Sequence, residues 1–268
     1  MSQSPPIRRA GRLGLDVELR AITNGGWRFP RHWHDDLQVI ATIQGEGEAF
    51  IDGYTHALPS GSLVVIPPRS VHTAYTTGDR TWTFHSLHAA PERLAPGLMR
   101  VPIFGGSDDT LALTFNKVID ALFDKASAPA SDAFGVFVGL LRTAAPVPAP
   151  DRAESRLSSL IAATQMELGN LIGESRTIED IAASHGFSTG HFSREFARAC
   201  LMSPHAWRLT ARVEVAKRHL RTGATVTQAA TAAGFTNMSQ FSRLYRQITG
   251  ITARNYRTRA ISDDQQKF

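Results

Sequence analysis

Between Thr177 and Arg257 the sequence contains one pattern twice. The twelve residues TIEDIAASHGFS that begin at Thr177 match TVTQAATAAGFT, which begins at Thr225, an offset of 48 positions. A second matched piece, HFSREF and QFSRLY, begins at His191 and at Gln240, an offset of 49. Self-similarity at a fixed period marks duplicated supersecondary units. Any fold proposed for this chain therefore has to build the same unit twice.

Each copy is predicted to form a helix, a tight turn and a second helix. Thr177 and Thr225 are suitable N-caps, and each is followed three positions later by a residue that can complete a capping box. Gly186 and Gly234 are expected to end the first helix, where a residue at positive φ is needed. The second helix of a helix-turn-helix unit has the shape that enters the DNA major groove.

The second helix of each copy is expected to start after Ser188 and Thr236, which can cap it. Its aromatic residues define a buried side. The remaining positions are the candidates for DNA contact: Thr189, Gly190, Ser193, Arg194, Asn237, Met238, Ser239, Ser242, Arg243 and Arg246. Arg194 and Arg243 are equivalent in the repeat. A guanidinium there either reads guanine with a bidentate fork or clamps phosphate, and the sequence leaves both roles open.

A longer helix is predicted between the two copies. Ser203 is placed as its N-cap and Pro204 as its first residue, a favoured arrangement, and Gly223 lies near its end. About 18 residues at roughly 1.5 Å each give a rod of about 27 Å. A rod of that length suits two recognition helices that lie about one DNA turn, roughly 34 Å, apart on one face of the duplex.

Charge is distributed unevenly along the chain. Residues 186–259 contain twelve Lys or Arg and two acids, a net of +10. Residues 1–151 contain 13 Lys or Arg and 15 Asp or Glu, a net of −2. A basic block beside a slightly acidic one is typical of a nucleic-acid-binding domain joined to a different domain. The candidates for phosphate contact are Arg198, Arg208, Arg212, Lys217, Arg254 and Arg257.

The motifs of the C-terminal third form one set. They are Ile181-Ala182, Gly186-Phe187-Ser188, Phe192 to Phe196, Ser203-Pro204, Gly234-Phe235-Thr236, Phe241-Ser242-Arg243, Gly250-Ile251-Thr252 and Tyr256-Arg257. On these motifs, residues 157–257 resemble the AraC/XylS-type transcriptional regulators. The resemblance implies a seven-helix domain whose two helix-turn-helix units bind promoter DNA. Three residues depart from the family pattern, since Leu201 replaces a glycine, Ala253 a proline and Ala229 an isoleucine.

The N-terminal half has a different pattern. Short alternating or β-branched runs occur at 15–19, 37–43, 48–51, 63–66 and 81–85. Turn signals separate them, among them Gly45-Glu46-Gly47 and Pro59-Ser60-Gly61. Strands at this spacing are typical of an all-β sandwich or barrel. Residues 1–12 are polar, with no apolar run behind their arginines, and are expected to be a mobile tail and not a signal peptide.

Two pieces of this region resemble the motifs of the cupin barrel. The residues that fall on the expected spacing are Gly26, His32, His34, Gln38 and Gly45 in the first motif, and Gly61, Pro67 and His72 in the second. Gln38 takes the place of the motif's acid. Many AraC-type regulators carry a cupin-like ligand-binding barrel. The resemblance therefore implies an α+β multidomain chain, with a barrel over 13–106 followed by an all-α double helix-turn-helix domain.

His32 and His34 lie two positions apart on a predicted strand, so they point to one face, where His72 can join them. Three imidazoles and one oxygen ligand make a feasible site for Fe, Zn, Mn or Ni. The alternative is that these histidines and Gln38 hydrogen-bond an organic effector, or each other. The candidates for effector contact are His32, His34, Gln38, His72, Arg31 and Trp82. Burial statistics favour a core position for Trp82.

Residues 107–141 are predicted to form a helical hairpin. Its apolar stripe either covers the barrel or pairs with a second subunit. The Pro-rich segment 142–151 is expected to be a linker to the DNA-binding domain over 152–259, and a tail is expected over 260–268. The single cysteine excludes an internal disulfide and fits a reducing compartment, and no apolar run is long enough to span a membrane.

The sequence therefore predicts a cytoplasmic, sequence-specific transcriptional regulator that is not an enzyme. Its expected partners are promoter DNA, a small effector of unknown identity, a second copy of the chain and RNA polymerase. One competing hypothesis is a metal-dependent cupin enzyme or metal sensor with His32, His34 and His72 as ligands. The missing carboxylate at the motif's acid position argues against the enzyme. Another is a barrel that serves only for dimerisation, and the sequence leaves the choice between activation and repression open.

Overall fold

A computed structural model of the chain describes residues 7–13, 17–76, 80–90, 103–104, 110–123, 135–139, 164–165 and 176–264. Contacts between residues divide the chain into two units. The larger parts of these units are residues 35–149 and residues 150–257, and residues 30–34 group with the second. The predicted linker, 142–151, lies outside the described residues.

The first unit is built on antiparallel strands. Their bounds are β1 (Ile7–Leu13), β2 (Val17–Asn24), β3 (Leu37–Ile51), β4 (Tyr54–Pro59), β5 (Leu63–Ile66), β6 (His72–Tyr75), β7 (Trp82–Ala89) and β8 (Ile103–Phe104). The order across the main sheet is β1-β2-β7-β3-β5-β8, while β4 and β6 both pair with β3. The first part of β3 pairs with β5 and β7, and its second part pairs with β4 and β6. This one strand is therefore shared by both layers of the barrel.

The predicted turn at Gly45-Glu46-Gly47 is wrong, because β3 continues through it. The register of β3 against β7 shifts between Thr42 and Gln44, and Gly45 has a φ of 80°, so the chain forms a bulge here. A side chain at Gly47 would overlap the indole ring of Trp82. The close approach of the Trp82 ring explains why residue 47 is a glycine. The sequence alone does not reveal this approach.

The predicted tail over 1–12 is wrong from Ile7 onward, because β1 pairs with β2 along Ile7–Leu13. The sequence of β1 has three arginines and no alternating apolar face, so hydrophobic periodicity gives no signal there. A strand at the edge of a sheet needs only backbone hydrogen bonds along one side, and charged side chains are common on it.

The strands of the main sheet place alternate side chains on two faces. The outer face packs against α1 (Thr110–Phe123) and the helical residues 135–139. This outer cluster includes Leu19, Val39, Leu87, Phe115, Ile119 and Phe137. The inner face forms a second cluster, which includes Ile22, Ile40, Ile51, Trp82 and Phe84. The apolar stripe of α1 thus covers the barrel, which is the first of its two sequence-based interpretations.

The second unit contains the duplicated pattern. Its helices are α2 (Ile178–Ser184), α3 (Thr189–Cys200), α4 (Pro204–Arg221), α5 (Val226–Ala232), α6 (Met238–Thr249) and α7 (Ala253–Asp264). The two copies are α2 with α3 and α5 with α6, and α4 is the long helix between them. Because α7 runs to Asp264, residues 260–264 are helical, where the sequence led us to expect the start of a tail.

The helix ends confirm the predicted capping. Thr177 and Thr225 each form a complete capping box with the residue three positions later. Gly186 and Gly234 follow with φ angles of 74° and 76°. In each copy the next residue, a phenylalanine, donates its N–H back across the turn to a carbonyl of the ending helix at 2.9 Å. This bonding pattern needs a left-handed residue, which explains the glycines.

Candidate functional site

The helices α3 and α6, which we term the reading helices, occupy equivalent positions in the repeat. Each buries two aromatic residues one turn apart: Phe192, Phe196, Phe241 and Tyr245. Phe196 packs edge-on against Trp207 of α4, and Tyr245 packs edge-on against Tyr256 of α7, with ring centroids 5.9 Å apart in both pairs. These contacts fix the rotation of each helix and leave its opposite face to solvent.

The residues predicted to contact DNA lie mostly on those solvent faces. Thr189 and Ser193 are half-buried, and the exposed members are Gly190, Arg194, Asn237, Met238, Ser239, Ser242, Arg243 and Arg246. Arg194 and Arg243 are each the sixth residue of their helix. A Cβ at Gly190 would lie 3.6 Å from Nη1 of Arg194, so this arginine leans back over the first turn of α3. The guanidinium thus lies near the end of the helix that usually approaches the bases.

The start of α6 differs from the prediction. Thr236 was expected to cap this helix, as Ser188 caps α3, but the N-cap is Asn237, whose Oδ1 accepts a hydrogen bond from the backbone N–H of Gln240 at 2.9 Å. The cause is the extra residue that changes the repeat offset from 48 to 49. Asn237 was predicted to contact DNA, but its side-chain oxygen is already used to cap α6.

Two of the residues predicted to bind phosphate are engaged within the helical unit. Lys217 is buried, and its Nζ lies 2.8 Å from Oε1 of Glu214, which is also buried. The prediction for Lys217 is therefore wrong, because a buried ammonium cannot reach a phosphate. Arg198 is exposed, and its Nη2 lies 2.8 Å from Oε2 of Glu195. That hydrogen bond holds the pKa of Glu195 below its usual range, so the acid stays charged beside Arg198.

Each reading helix ends in the same left-handed conformation. Leu201 has a φ of 59°, and Gly250, its equivalent in the repeat, has a φ of 75°. Leu201, one of the three departures from the family pattern, therefore occupies a conformation that favours glycine. Its carbonyl accepts a hydrogen bond from Nη1 of Arg31 at 3.0 Å. Arg31 is exposed, and this contact gives no support to its predicted role in effector binding.

The three predicted metal-site histidines come together. His32, His34 and His72 are buried, and one ring nitrogen from each lies within 4.8 Å of the others. Nδ1 of His32 contacts the carbonyl of Pro30, and Nδ1 of His72 contacts the carbonyl of Ser70, both at 2.9 Å. A carbonyl only accepts, so in the neutral rings Nδ1 carries the proton and Nε2 keeps a lone pair. Such second contacts are typical of histidine ligands.

This histidine set fits a metal with modest adjustment. Two nitrogen ligands at about 2.1 Å from a tetrahedral metal lie roughly 3.4 Å apart. Ring nitrogens that lie within 4.8 Å of one another would have to approach by up to roughly 1.4 Å to reach that spacing. The residues present could thus hold Zn²⁺ or a similar ion.

Trp82 and Gln38, also predicted to bind an effector, have different surroundings. Trp82 is fully buried, stacks on Phe84 with ring centroids 3.9 Å apart, and donates Nε1–H to Oγ1 of Thr42 at 3.0 Å. Trp82 is thus a core residue of the inner cluster, and its contact with an effector stays a prediction. Gln38 is buried on the inner face of β3 and donates Nε2–H to Oγ of Ser86 at 3.0 Å.

A group of buried polar residues lies inside the barrel, and we call it the polar layer: Glu18, Arg20, Gln38, Ser86 and His88. Sequence reasoning found Gln38 and missed the other four. In the strand register Glu18 pairs with His88, His88 with Gln38, and Arg20 with Ser86. Nε and Nη2 of Arg20 lie 2.9 and 2.8 Å from Oε1 of Glu18. The sequence does contain a signal for the missed residues, which is the two-residue alternation of a strand. These residues alternate with apolar ones that face α1.

Two family models match the chain. Residues 14–135 match an AraC-like ligand binding domain, and residues 181–259 match a helix-turn-helix domain. The chain belongs to the AraC-type transcriptional regulators. It therefore has a DNA-binding helix-turn-helix domain and an N-terminal ligand-binding domain, as the sequence predicted. No curated protein matches the sequence of this regulator.

Solved structures show the same two-domain fold. ToxT from Vibrio cholerae strain SCE256, with an unsaturated fatty acid bound, gives a TM-score of 0.51 at 11% identity and covers 93% of this chain and 96% of its own. ToxT from Vibrio cholerae O395 gives 0.52 at 10% identity, covering 91% and 98%. At such low sequence identity, the similarity shows only that the regulator shares the fold of ToxT. None of the helices in the described part of the chain has the length and apolar character of a membrane span.

Proposed function

We propose that this AraC-type regulator reads promoter DNA with Arg194 and Arg243, each placed in the major groove of one of two adjacent half-sites. The supporting observation is their equivalence: both are exposed and both are the sixth residue of a reading helix whose other face is locked by aromatic packing. The net charge of +10 over residues 186–259 supplies the attraction to phosphate that does not depend on sequence.

Binding-site selection from random duplex DNA with the full chain, followed by titrations of Arg194→Ala and Arg243→Ala, tests the proposal. A lost bidentate contact to guanine weakens the selected site by roughly 1–3 kcal/mol, or about 5- to 150-fold. Unselected DNA should lose much less affinity. Arg80→Ala is the matched control, because Arg80 is an exposed arginine of the barrel, paired with Glu46. Equal losses in all three variants would refute the assignment.

We propose that the effector binds inside the barrel, with its polar group on the polar layer and its apolar part against the inner cluster. ToxT, which shares the fold, was solved with an unsaturated fatty acid bound. Thermal-shift screening of the full chain with fatty, aromatic and hydroxy acids tests this. Ser86→Ala should abolish the shift produced by an active compound, and His85→Ala should retain it. His85 is the neighbouring residue on β7 and contacts Asn116 of α1 on the outer face.

Effector control, in this proposal, acts by changing how two DNA-binding domains are presented by a homodimer that recruits RNA polymerase. The shift is limited by the difference in effector affinity between the two states. Because the apolar stripe of α1 is buried against the sheet, the dimer has to use other residues. Leu113 and Val136 are apolar candidates, with 50% and 58% of their surface exposed to solvent. Sedimentation velocity of the wild-type chain and of Leu113→Ser with Val136→Ser tests the dimer.

A second candidate function, metal sensing, is favoured by the grouping of His32, His34 and His72. Elemental analysis of the untagged full chain, before and after loading with Fe, Zn, Mn and Ni, tests it. About one metal per chain, lost in His32→Ala, would support sensing. Absence of metal after loading would leave these histidines to an organic effector.

A further inference from the structure

We infer that Met238 reads a thymine in the half-site bound by α6, through contact with the 5-methyl group in the major groove. The inference rests on the proposed function of α6 as a reading helix. It adds a base preference that Arg243 cannot supply, because a guanidinium fork recognises guanine and not a methyl group.

The position of Met238 directs its side chain off the end of the helix. Met238 is the first residue of α6, and Cα–Cβ bonds in an α-helix tilt toward the N-terminus. It lies one turn before the buried Phe241, yet 38% of its surface is exposed. Its tip therefore extends past the core toward the end of the helix that approaches the bases in helix-turn-helix complexes.

The surroundings of Met238 are polar. Ser239, Ser242 and Arg243 are exposed beside it, and α6 contains no acidic residue. Among the described residues of the helical unit, Met238 is the one large hydrophobic residue that is exposed. On base edges in the major groove, the thymine 5-methyl is the apolar feature that such a side chain can bury. The chemistry of the side chain thus selects the base.

The first copy of the repeat supplies an internal comparison. Thr189 and Gly190 stand where the second copy has Met238 and Ser239. Thr189 is half-buried and Gly190 has no side chain, so the first turn of α3 offers no exposed apolar group of comparable size. The inference therefore makes the two half-sites unequal, with the thymine contact in the half-site of α6.

Replacement of single thymines by deoxyuridine in the selected site tests the inference, because this change removes only the methyl group. In the wild-type full chain, one position in the α6 half-site should bind roughly fourfold more weakly as deoxyuridine, the effect of one buried methyl. Met238→Ala should weaken the thymine site by a similar factor and no longer distinguish the two bases. Met238→Leu, which keeps an apolar tip, should retain the preference.

The outcomes separate this inference from the proposed function. If Met238→Ala discriminates thymine from deoxyuridine as strongly as the wild-type chain does, Met238 is not the reader and the inference is overturned. The same holds if no thymine of the half-site shows a methyl effect. If instead selection yields no motif and Arg243→Ala binds like the wild-type chain, the proposed function itself fails. Arg243→Ala should otherwise lower affinity while leaving the thymine preference in place.

Discussion

Adding one methyl group at two glycines four residues apart should change stability in opposite directions. Gly186 ends α2 at a φ of +74°, and Gly190 is the second residue of α3 in helical conformation. Both are exposed. A Cβ would meet nothing within 4 Å at Gly186 and only Arg194 Nη1, at 3.6 Å, at Gly190. Packing therefore contributes little at either site, and the backbone angle decides the sign.

The expected magnitudes follow from backbone energetics. At Gly186 an alanine incurs about 1–2 kcal/mol for the left-handed conformation. Alanine also makes the unfolded chain less flexible, which stabilises the folded state by roughly 0.4–1 kcal/mol. The net effect of Gly186→Ala should therefore be to destabilise the folded state by about 1 kcal/mol. Gly190→Ala should stabilise by about 0.5–1 kcal/mol, the helix preference of alanine over glycine. The two variants should thus differ by roughly 1.5–2 kcal/mol.

Hydrogen exchange of the full-length variants measures this difference, with the buried amides of α3 as the probe. A change of about 1 kcal/mol alters the exchange rate roughly fivefold. Gly186→Ala should accelerate exchange and Gly190→Ala should slow it. Gly234→Ala, the equivalent of Gly186 in the second copy at a φ of 76°, should repeat the loss for α6. Exchange that changes in the same direction in Gly186→Ala and Gly190→Ala would refute the backbone explanation.

Two further predictions concern charge. Backbone and side-chain hydrogen bonds from Thr177 lower the pKa of Asp180, so the capping box stabilises α2 above about pH 4 and is lost as the pH falls through that lowered pKa. Melting curves between pH 2 and pH 6 should show this dependence, and Asp180→Asn should reduce it. A residual dependence as large as in the wild-type chain would contradict it. Lys217→Met should leave the salt dependence of DNA binding unchanged, because Lys217 is buried. Arg254→Ala should reduce the slope of log K against log salt by about 0.9, the effect of one lost phosphate contact. Anisotropy titrations of both variants at several salt concentrations measure these slopes.

The sequence predicted the features of the helical unit that depend on local chemistry. The capping box at Thr177 and the left-handed Gly186 follow from neighbouring residues alone. The N-cap of α6 was misplaced, because one added residue moved that task from Thr236 to Asn237. Burial of Lys217 could not be predicted either, since it depends on how α4 packs and not on its spacing.

In the barrel, the sequence predicted strands where apolar residues alternate and failed where backbone pairing or close approach decides. β1 has no apolar face, and Gly47 is required by the ring of Trp82. The three histidines were found because a motif places them, although His32 and His72 are far apart in the chain. Glu18 and Arg20 of the polar layer were missed, because they resemble the exposed side of an edge strand until the covering helix α1 is known.

The sharing of β3 between both layers has a consequence for how the barrel folds. Neither layer can be completed before this strand is placed, and its longest pairing, with β7, joins residues that are distant in the chain. Non-local pairings of this kind slow folding, because loop closure precedes the gain from contacts. The barrel therefore lacks a layer that could be completed independently of β3. A slip of β3 by one residue would move its side chains to the opposite face in both layers at once, so the register of β3 is expected to be strongly specified.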